Sequence, residues 1–82
     1  MYKIILRNSA KRFLKKLKGK EQKDLIFKIN KLRKNPELGK RLSGNLFRFW
    51  KLRIDKFRII YKIVNDELII YIMNIGHRKN VY

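Results

Sequence analysis

The sequence is poor in the residues that build disulfide frameworks and metal centres. Its 82 residues contain no cysteine, one histidine, one proline and four glycines. Without cysteine there is no disulfide framework, no thiolate nucleophile and no Cys-ligated zinc site. A single histidine, His77, leaves too few soft ligands for a transition-metal site, and the scattered glycines form no phosphate-binding loop. We therefore expect neither a metal nor another cofactor.

Long apolar segments are also missing. The longest uninterrupted apolar run is Leu68 to Met73, six residues, which is too short to span a bilayer. The N-terminal stretch from Met1 to Leu6 lacks the length and the small-residue cleavage site of a signal peptide. These features predict a soluble cytoplasmic protein.

Acidic residues are the third scarce class. Six Asp and Glu oppose 23 Lys and Arg, which gives a formal net charge of +17. A small domain needs far less charge for solubility, so the excess predicts a polyanionic partner: nucleic acid, an acidic protein or an anionic membrane surface. The hydrophobic fraction of 45% argues against disorder, and the length fits one domain, residues 1–82.

Hydrophobic periodicity predicts the element order β-α-α-β-β-β. Residues 2–6 resemble a strand, and apolar positions at helical spacing predict helices near 10–17 and 21–34, separated by Gly19. Residues 37–45 have the composition of a loop. Period-two alternation then predicts a strand over 46–54, and a tight reversal at Asp55-Lys56 leads to the next strand, 57–64. A two-residue turn at Asn65-Asp66 precedes a strand over 68–75, which is nearly all apolar and is therefore expected to be central and covered on both faces. The fold class is α+β, with a helical hairpin on one face of a largely antiparallel four-stranded sheet.

The two halves of the chain carry different kinds of positive charge. The helical segment is rich in lysine, a mobile and hydrated point charge that attracts phosphate at a distance. The strands and the tail place arginine at particular positions, and a guanidinium can hold one phosphate with two hydrogen bonds. The alternative is that these charges form a solvated surface without a task.

Five residues of the C-terminal half form a candidate site. Strand alternation points Lys51 and Arg53 the same way, and Arg58 follows just beyond a tight turn. Arg78 comes directly after the last predicted strand, and Tyr82 is the last residue of the sequence. In an antiparallel meander these groups can converge on one concave face, where they would stabilise a phosphodiester with developing negative charge. Otherwise they face solvent on the uncovered side of the sheet.

The motifs around these residues resemble the RelE toxins of RelE/ParE toxin–antitoxin systems. The resemblance covers essentially the whole chain. It is carried by WKLRI at 50–54, FRIIY at 57–61, IGHR at 75–78, the closing Val81-Tyr82, and the upstream Asn35-Pro36 and Leu42-Ser43-Gly44. Lys51, Arg53, Arg58 and Arg78 match the family's basic site residues, and Tyr82 matches its C-terminal tyrosine across a one-residue gap. His77 matches a histidine found in some relatives.

The resemblance implies a metal-independent, ribosome-dependent mRNA endoribonuclease. Such toxins cut mRNA in the ribosomal A site through attack of a ribose 2′-hydroxyl on the adjacent phosphate. It also implies an acidic antitoxin of the RelB type, with promoter DNA bound only through the antitoxin complex.

The chemistry leaves three candidates for the base that activates the 2′-hydroxyl: Lys51, His77 and Tyr82. Neighbouring arginines would favour the uncharged form of a lysine, so we hypothesise that Lys51 is the base. Arg53 and Arg58 would hold the scissile phosphate. A gyrase inhibitor of the ParE branch and a non-catalytic RNA- or ribosome-binding module remain alternatives, as does binding of the helices to an anionic membrane.

Overall fold

The computed structural model describes residues 1–79 and contains two helices and five strands. Tyr82 therefore lies outside the described residues. Three short 3₁₀ turns, at Pro36–Leu38, Gly44–Leu46 and Asn65–Glu67, complete the connections. The strands and helices, in chain order, are β1 (Lys3–Leu6), α1 (Asn8–Lys16), α2 (Gly19–Lys31), β2 (Lys40–Arg41), β3 (Phe49–Ile54), β4 (Phe57–Val64) and β5 (Ile69–His77).

The strands form one sheet in the order β1-β5-β4-β3-β2. All pairings are antiparallel except that of β1 with β5, which is parallel. The predicted α+β class and largely antiparallel sheet are confirmed, but the sheet has five strands. The additional strand, β2, lies within the segment predicted to be a loop, because two residues are too few to show an alternating pattern.

The helical hairpin is confirmed, although its boundaries differ from the predicted ones. Leu17 has extended backbone angles and ends α1. Gly19, expected only to interrupt the helices, begins α2 with a φ of +63°, which glycine adopts without steric cost. The side chain of Gln22 donates a hydrogen bond of 2.9 Å to the carbonyl of Leu14, which also accepts the N–H of Leu17, and so attaches α2 to the end of α1.

The two sides of the sheet have different partners. Both helices pack on one side, here called the helix face, where Leu25, Ile29 and Leu32 of the α2 region meet the strands. Within residues 1–79, neither α1 nor α2 packs on the opposite side, here called the open face. The strand side chains of the helix-face core are Leu52, Ile54, Phe57, Ile59, Tyr61, Ile70, Ile72 and Ile75.

Strand β5 lies in the sheet interior, as predicted, but its two sides are not equally covered. Ile70 and Ile72 are fully buried on the helix face, whereas Tyr71 between them is half-buried on the open face. The aromatic residues of β3, β4 and β5 accordingly differ in burial. Phe57 and Tyr61 are buried, Trp50 packs at the margin of the core, and Tyr71 lies outside it.

Of the two predicted turns between strands, one is confirmed and the other is wrong. The tight reversal at Asp55-Lys56 is confirmed, with Asp55 at a φ of 53°. The two-residue turn at Asn65-Asp66 is wrong, because a 3₁₀ turn followed by Leu68 at a φ of 54° connects β4 to β5. The longer connection satisfies the backbone of Leu68, whose N–H bonds to the carbonyl of Asn65.

Candidate functional site

A cationic cavity of about 410 Å³ opens on the open face at the end of the sheet formed by the β3–β4 turn. Strands β3 and β4, the turn between them and the segment after β5 contribute to it. Each of its described lining residues is a lysine or an arginine: Lys51, Arg53, Lys56, Arg58, Arg78 and Lys79. We refer to it as the basic cavity. Four of the five principal residues predicted from the sequence are therefore brought together in one place.

The register of β3 and β4 explains this convergence. Arg53 lies directly opposite Arg58 across the antiparallel pair, and Lys51 lies two residues before Arg53 on the same face. Like charges placed opposite one another destabilise a strand pair. The arrangement therefore favours a bound anion that neutralises both guanidinium groups.

Arg58 is held in place by the neighbouring strand. Its side chain is only 7% exposed, although it belongs to the open face. The Nη1 atom donates a hydrogen bond of 3.0 Å to Oδ1 of Asn74 in β5. A buried guanidinium with a fixed hydrogen-bond partner loses little conformational entropy on binding, which suits a rigid phosphate contact.

Arg78 is fixed by the β3–β4 turn. Its backbone N–H donates to the carbonyl of Lys56, and its Nη1 donates to the carbonyl of Asp55, both at 2.9 Å. These two bonds attach the segment after β5 to the turn. They bring a fourth cation to the cavity from a part of the chain more than twenty residues away from Arg53.

Lys56 connects the cavity to the start of α2. Its Nζ lies 2.6 Å from a carboxylate oxygen of Glu21. The hydrogen bond to Glu21, and then the attraction of the same charge, raise the pKa of Lys56 above its usual value. Lys56 therefore stays protonated at neutral pH and acts as a permanent positive charge at the rim.

His77 lies on the other side of the sheet. It pairs with Phe57 in the register, and its ring centroid lies 5.2 Å from that of Phe57 and 5.8 Å from that of Phe13. The imidazole therefore packs at the margin of the helix face and does not line the basic cavity. Because His77 faces the helices whereas Arg78, the next residue, lines the basic cavity, the geometry gives no support to the predicted catalytic role of His77.

Sequence reasoning did not include three residues that shape the site. Lys56 and Lys79 line the cavity, and Asn74 anchors Arg58. Lys56 lies in the predicted turn between the strands 46–54 and 57–64, and Lys79 lies beyond the last predicted strand; neither was included in the candidate site. Asn74 had a detectable signal, since it is the one amide in an otherwise apolar strand.

Comparisons with known proteins agree with this architecture. A sequence profile of the ParE toxin of type II toxin–antitoxin systems (parDE) matches residues 4–82. The chain belongs to the RelE/ParE superfamily of toxins. A search of curated proteins found no match to this RelE/ParE toxin.

Solved structures with the same fold come from bacteria and archaea. A chain of the toxin–antitoxin complex RelBE2 from Mycobacterium tuberculosis is 25% identical to this toxin, with a TM-score of 0.83 over 94% of this chain and 98% of that chain. The isolated RelE toxin of E. coli is 16% identical, with a TM-score of 0.79 over 94% of this chain and 84% of that chain. A chain of the archaeal RelE–RelB complex from Pyrococcus horikoshii OT3 is 17% identical, with a TM-score of 0.77 over 98% of both chains.

No helix within residues 1–79 is both long and apolar enough to cross a membrane.

Proposed function

We propose that this toxin is a metal-independent endoribonuclease that cuts mRNA on the ribosome, and that residues 1–82 form its single toxin domain. The observation that supports the proposal is the basic cavity, in which Lys51, Arg53, Arg58 and Arg78 converge. A phosphodiester under attack gains negative charge, and fixed cations aimed at that charge stabilise the transition state.

The bond changes of the proposed reaction take place within the RNA, on the ribosome, and the toxin's side chains assist them. The ribose 2′-oxygen attacks the adjacent phosphorus, the bond from phosphorus to the 5′-oxygen breaks, and a 2′,3′-cyclic phosphate forms. A base removes the 2′-proton, and the departing 5′-oxygen takes up a proton. Arg53 and Arg58 are assigned to the phosphate oxygens, and Arg78 to the charge on the departing oxygen.

Lys51 is proposed as the base. It is half-buried in β3, lines the basic cavity and lies on the same face as Arg53. His77 is left out of the proposal because its ring packs against Phe13 and Phe57. Tyr82 keeps its assignment as a proposed site residue on the family resemblance alone.

An acidic antitoxin is the proposed cellular partner. Three of the similar structures are complexes named RelBE2, RelBE and RelE–RelB. A net charge of +17 favours a partner of opposite charge, which gains both electrostatic steering and neutralisation on binding. We propose that the complex, located in the cytoplasm, binds promoter DNA through the antitoxin.

The decisive test measures mRNA cleavage on translating ribosomes by the purified toxin and its Arg58→Ala variant. Removing one transition-state contact typically costs about 100-fold in rate, so we expect at least that loss. Arg12→Ala, on the exposed surface of α1, is the matched control and should cut at the wild-type rate. Since Arg58 is buried, Arg53→Ala provides a second variant at an exposed position, where folding is not at risk.

Unchanged cleavage by both Arg58→Ala and Arg53→Ala would refute the assignment of the cavity. Binding of ribosomes or RNA without any cut would favour a non-catalytic module.

Inhibition of DNA gyrase is the second candidate function, because the sequence profile that matches residues 4–82 is that of the ParE toxin. A supercoiling assay with purified gyrase separates the two. Our proposal predicts no inhibition at toxin concentrations that cut mRNA. Inhibition that persists in Arg58→Ala, together with absent cleavage, would establish the gyrase function.

A further inference from the structure

A second cavity continues the basic cavity along the open face. Its volume is about 430 Å³, and it shares Lys51 and Arg53 with the first. Its other wall is the segment from Leu38 to Ser43, which contains the edge strand β2. The two cavities therefore adjoin at Lys51 and Arg53, with Arg58 and Arg78 on one side and β2 on the other. We refer to the adjoining pair as the groove.

Arg41 and Lys40 of β2 both line the second cavity, and Lys40 is the one that shares the face of Lys51. Lys40 lies opposite Lys51 in the β2–β3 pair, and paired residues of neighbouring strands share a face. Arg41 lies opposite Trp50, and its guanidinium carbon lies 5.5 Å from the centroid of the indole ring. The two basic residues of β2 are thus divided, and Lys40 is on the same face as the proposed site.

The wall that carries Lys40 is firmly attached to the sheet. The N–H of Gly39 donates to the hydroxyl of Tyr61 at 3.0 Å, and that hydroxyl donates to the carbonyl of Pro36 at 2.7 Å. A Cβ at position 39 would collide with the carbonyl oxygen of Lys51, so only glycine lets the segment lie this close to β3. The N–H of Leu42 bonds to the carbonyl of Phe49 at 2.9 Å. The wall is therefore built in advance of any ligand.

The spacing of the cations fits a chain of phosphates better than a single anion. Neighbouring strands lie about 4.8 Å apart, so Lys40 and Arg58 belong to strands separated by about 10 Å across the sheet. Lys40 is also displaced along the sheet from Arg58, because it pairs with Lys51 whereas Arg58 pairs with Arg53. Asn74 holds Arg58 from the side away from β2, so a phosphate on Arg58 leaves Lys40 free to bind a second one. Two consecutive phosphodiesters of a single-stranded nucleic acid can occupy both ends of the groove, with the shared residues Lys51 and Arg53 between them.

We propose that the β2 wall is a second subsite for the RNA, in which Lys40 binds the phosphate next to the scissile one. Ser43, which lines the same cavity, is assigned to the nucleoside between the two phosphates. This inference rests on the proposed function and extends it, because it makes β2 a part of substrate positioning. Lys40 acts as a positioning residue and takes no part in the bond changes.

Two RNA probes that differ by one phosphate test the subsite. The full-length toxin is titrated by NMR with a dinucleoside monophosphate and with a trinucleoside diphosphate, both carrying 2′-fluoro groups that block cleavage. We expect the longer probe to bind several-fold more tightly and to shift the amide signals of residues 39–43, which the shorter probe leaves in place. In Lys40→Gln, the longer probe should bind no better than the shorter one.

Salt dependence gives a second readout. Each phosphate contact to single-stranded nucleic acid contributes about 0.7 to the slope of log affinity against log salt. A trinucleoside diphosphate carries fewer condensed counterions than a long strand, so Lys40→Gln should lower its slope by less than about 0.7 and leave that for the dinucleoside monophosphate unchanged. Lys23→Gln, an exposed lysine of α2 with the same change of charge, is the control and should affect both probes alike.

The subsite is overturned if Lys40→Gln weakens both probes equally, if it weakens neither, or if the trinucleoside diphosphate leaves the signals of residues 39–43 unmoved. The proposed function is tested separately in the same titration by Arg58→Ala, which should weaken the dinucleoside monophosphate. If Arg58→Ala has no effect on that probe, both proposals fail. If only Lys40→Gln is without effect, the basic cavity stands and the subsite does not.

Discussion

The two faces of the sheet are made by the same strands and serve opposite purposes. On the helix face, β3 and β4 present Leu52, Ile59 and Tyr61 to a core that excludes water. On the open face, residues one position away, Lys51, Arg53 and Arg58, surround the basic cavity. One face is stabilised by burial of apolar area, whereas the other concentrates like charges that repel one another.

The contrast explains how a chain of 82 residues maintains both a core and a charged site. Strand alternation separates them by the thickness of the sheet, so the core does not have to accommodate the cations. Hydrogen bonds to neutral groups of the protein partly offset the electrostatic repulsion within the cluster of cations. Arg58 is bonded to the amide of Asn74, and Arg78 is bonded to the carbonyl of Asp55. Changes on one face should therefore leave the function of the other largely intact.

The largest effect should come from a core truncation on the helix face. Ile72 is fully buried, and shortening such a side chain to alanine costs about 2–5 kcal/mol. For a domain of this size, each kcal/mol lowers the melting temperature by about 4–8 °C. We expect Ile72→Ala to melt more than about 10 °C below the wild type, as followed by circular dichroism.

Arg53→Gln is the counterpart of that variant on the open face. Because Arg53 is exposed, its replacement should change stability by less than about 0.5 kcal/mol while reducing cleavage. A substantial loss of stability in Arg53→Gln would show that the two faces are not independent.

Tyr61→Phe tests the connection between the two faces. The hydroxyl belongs to a core residue but bonds to Gly39 and Pro36 of the wall beside the groove. Its removal leaves the N–H of Gly39 without this partner and should cost about 1–2 kcal/mol of unfolding free energy at neutral pH. Urea unfolding of both proteins measures the difference.

The same pair of proteins predicts a pH dependence. Burial raises the pKa of Tyr61 above its ordinary value of 10.0, so the folded state holds the phenol proton more tightly than the unfolded state does. This contribution to stability is complete below pH 10.0 and is lost as the pH rises through the raised value. The stability advantage of the wild type over Tyr61→Phe should therefore shrink at alkaline pH. An advantage that grows with pH would contradict the assigned direction.

Leu68→Gly should have the smallest effect, and a favourable one. Leu68 is half-exposed and adopts a φ of 54°, a conformation that is strained for a branched, bulky side chain. Glycine adopts it freely, so we expect a gain of about 0.5–1 kcal/mol in unfolding free energy. The turn lies apart from the basic cavity, so cleavage should not change. A loss of stability would mean that the apolar contacts of Leu68 outweigh its strain.

Most of the fold and four site residues could be predicted from the sequence because alternation and helical spacing are local signals. Lys51, Arg53 and Arg58 follow from the period of two and one tight turn. The strand β2, the parallel pairing of β1 and the bulge between Ile60 and Tyr61 depend on tertiary contacts, which leave little trace in local pattern. His77 was a candidate through the family resemblance, and its place beside Phe57 and Phe13 on the helix face depends on the register of β5 with β4.

The most direct measurement uses a reporter mRNA in which the nucleotide on the 5′ side of the cut carries a single 2′-deoxy sugar. The account predicts that the purified toxin cuts the all-ribose message on translating ribosomes, leaves a 2′,3′-cyclic phosphate, and fails at the substituted position. Cleavage of the 2′-deoxy message at the same site and rate would contradict the claim that the basic cavity stabilises attack by a ribose 2′-oxygen.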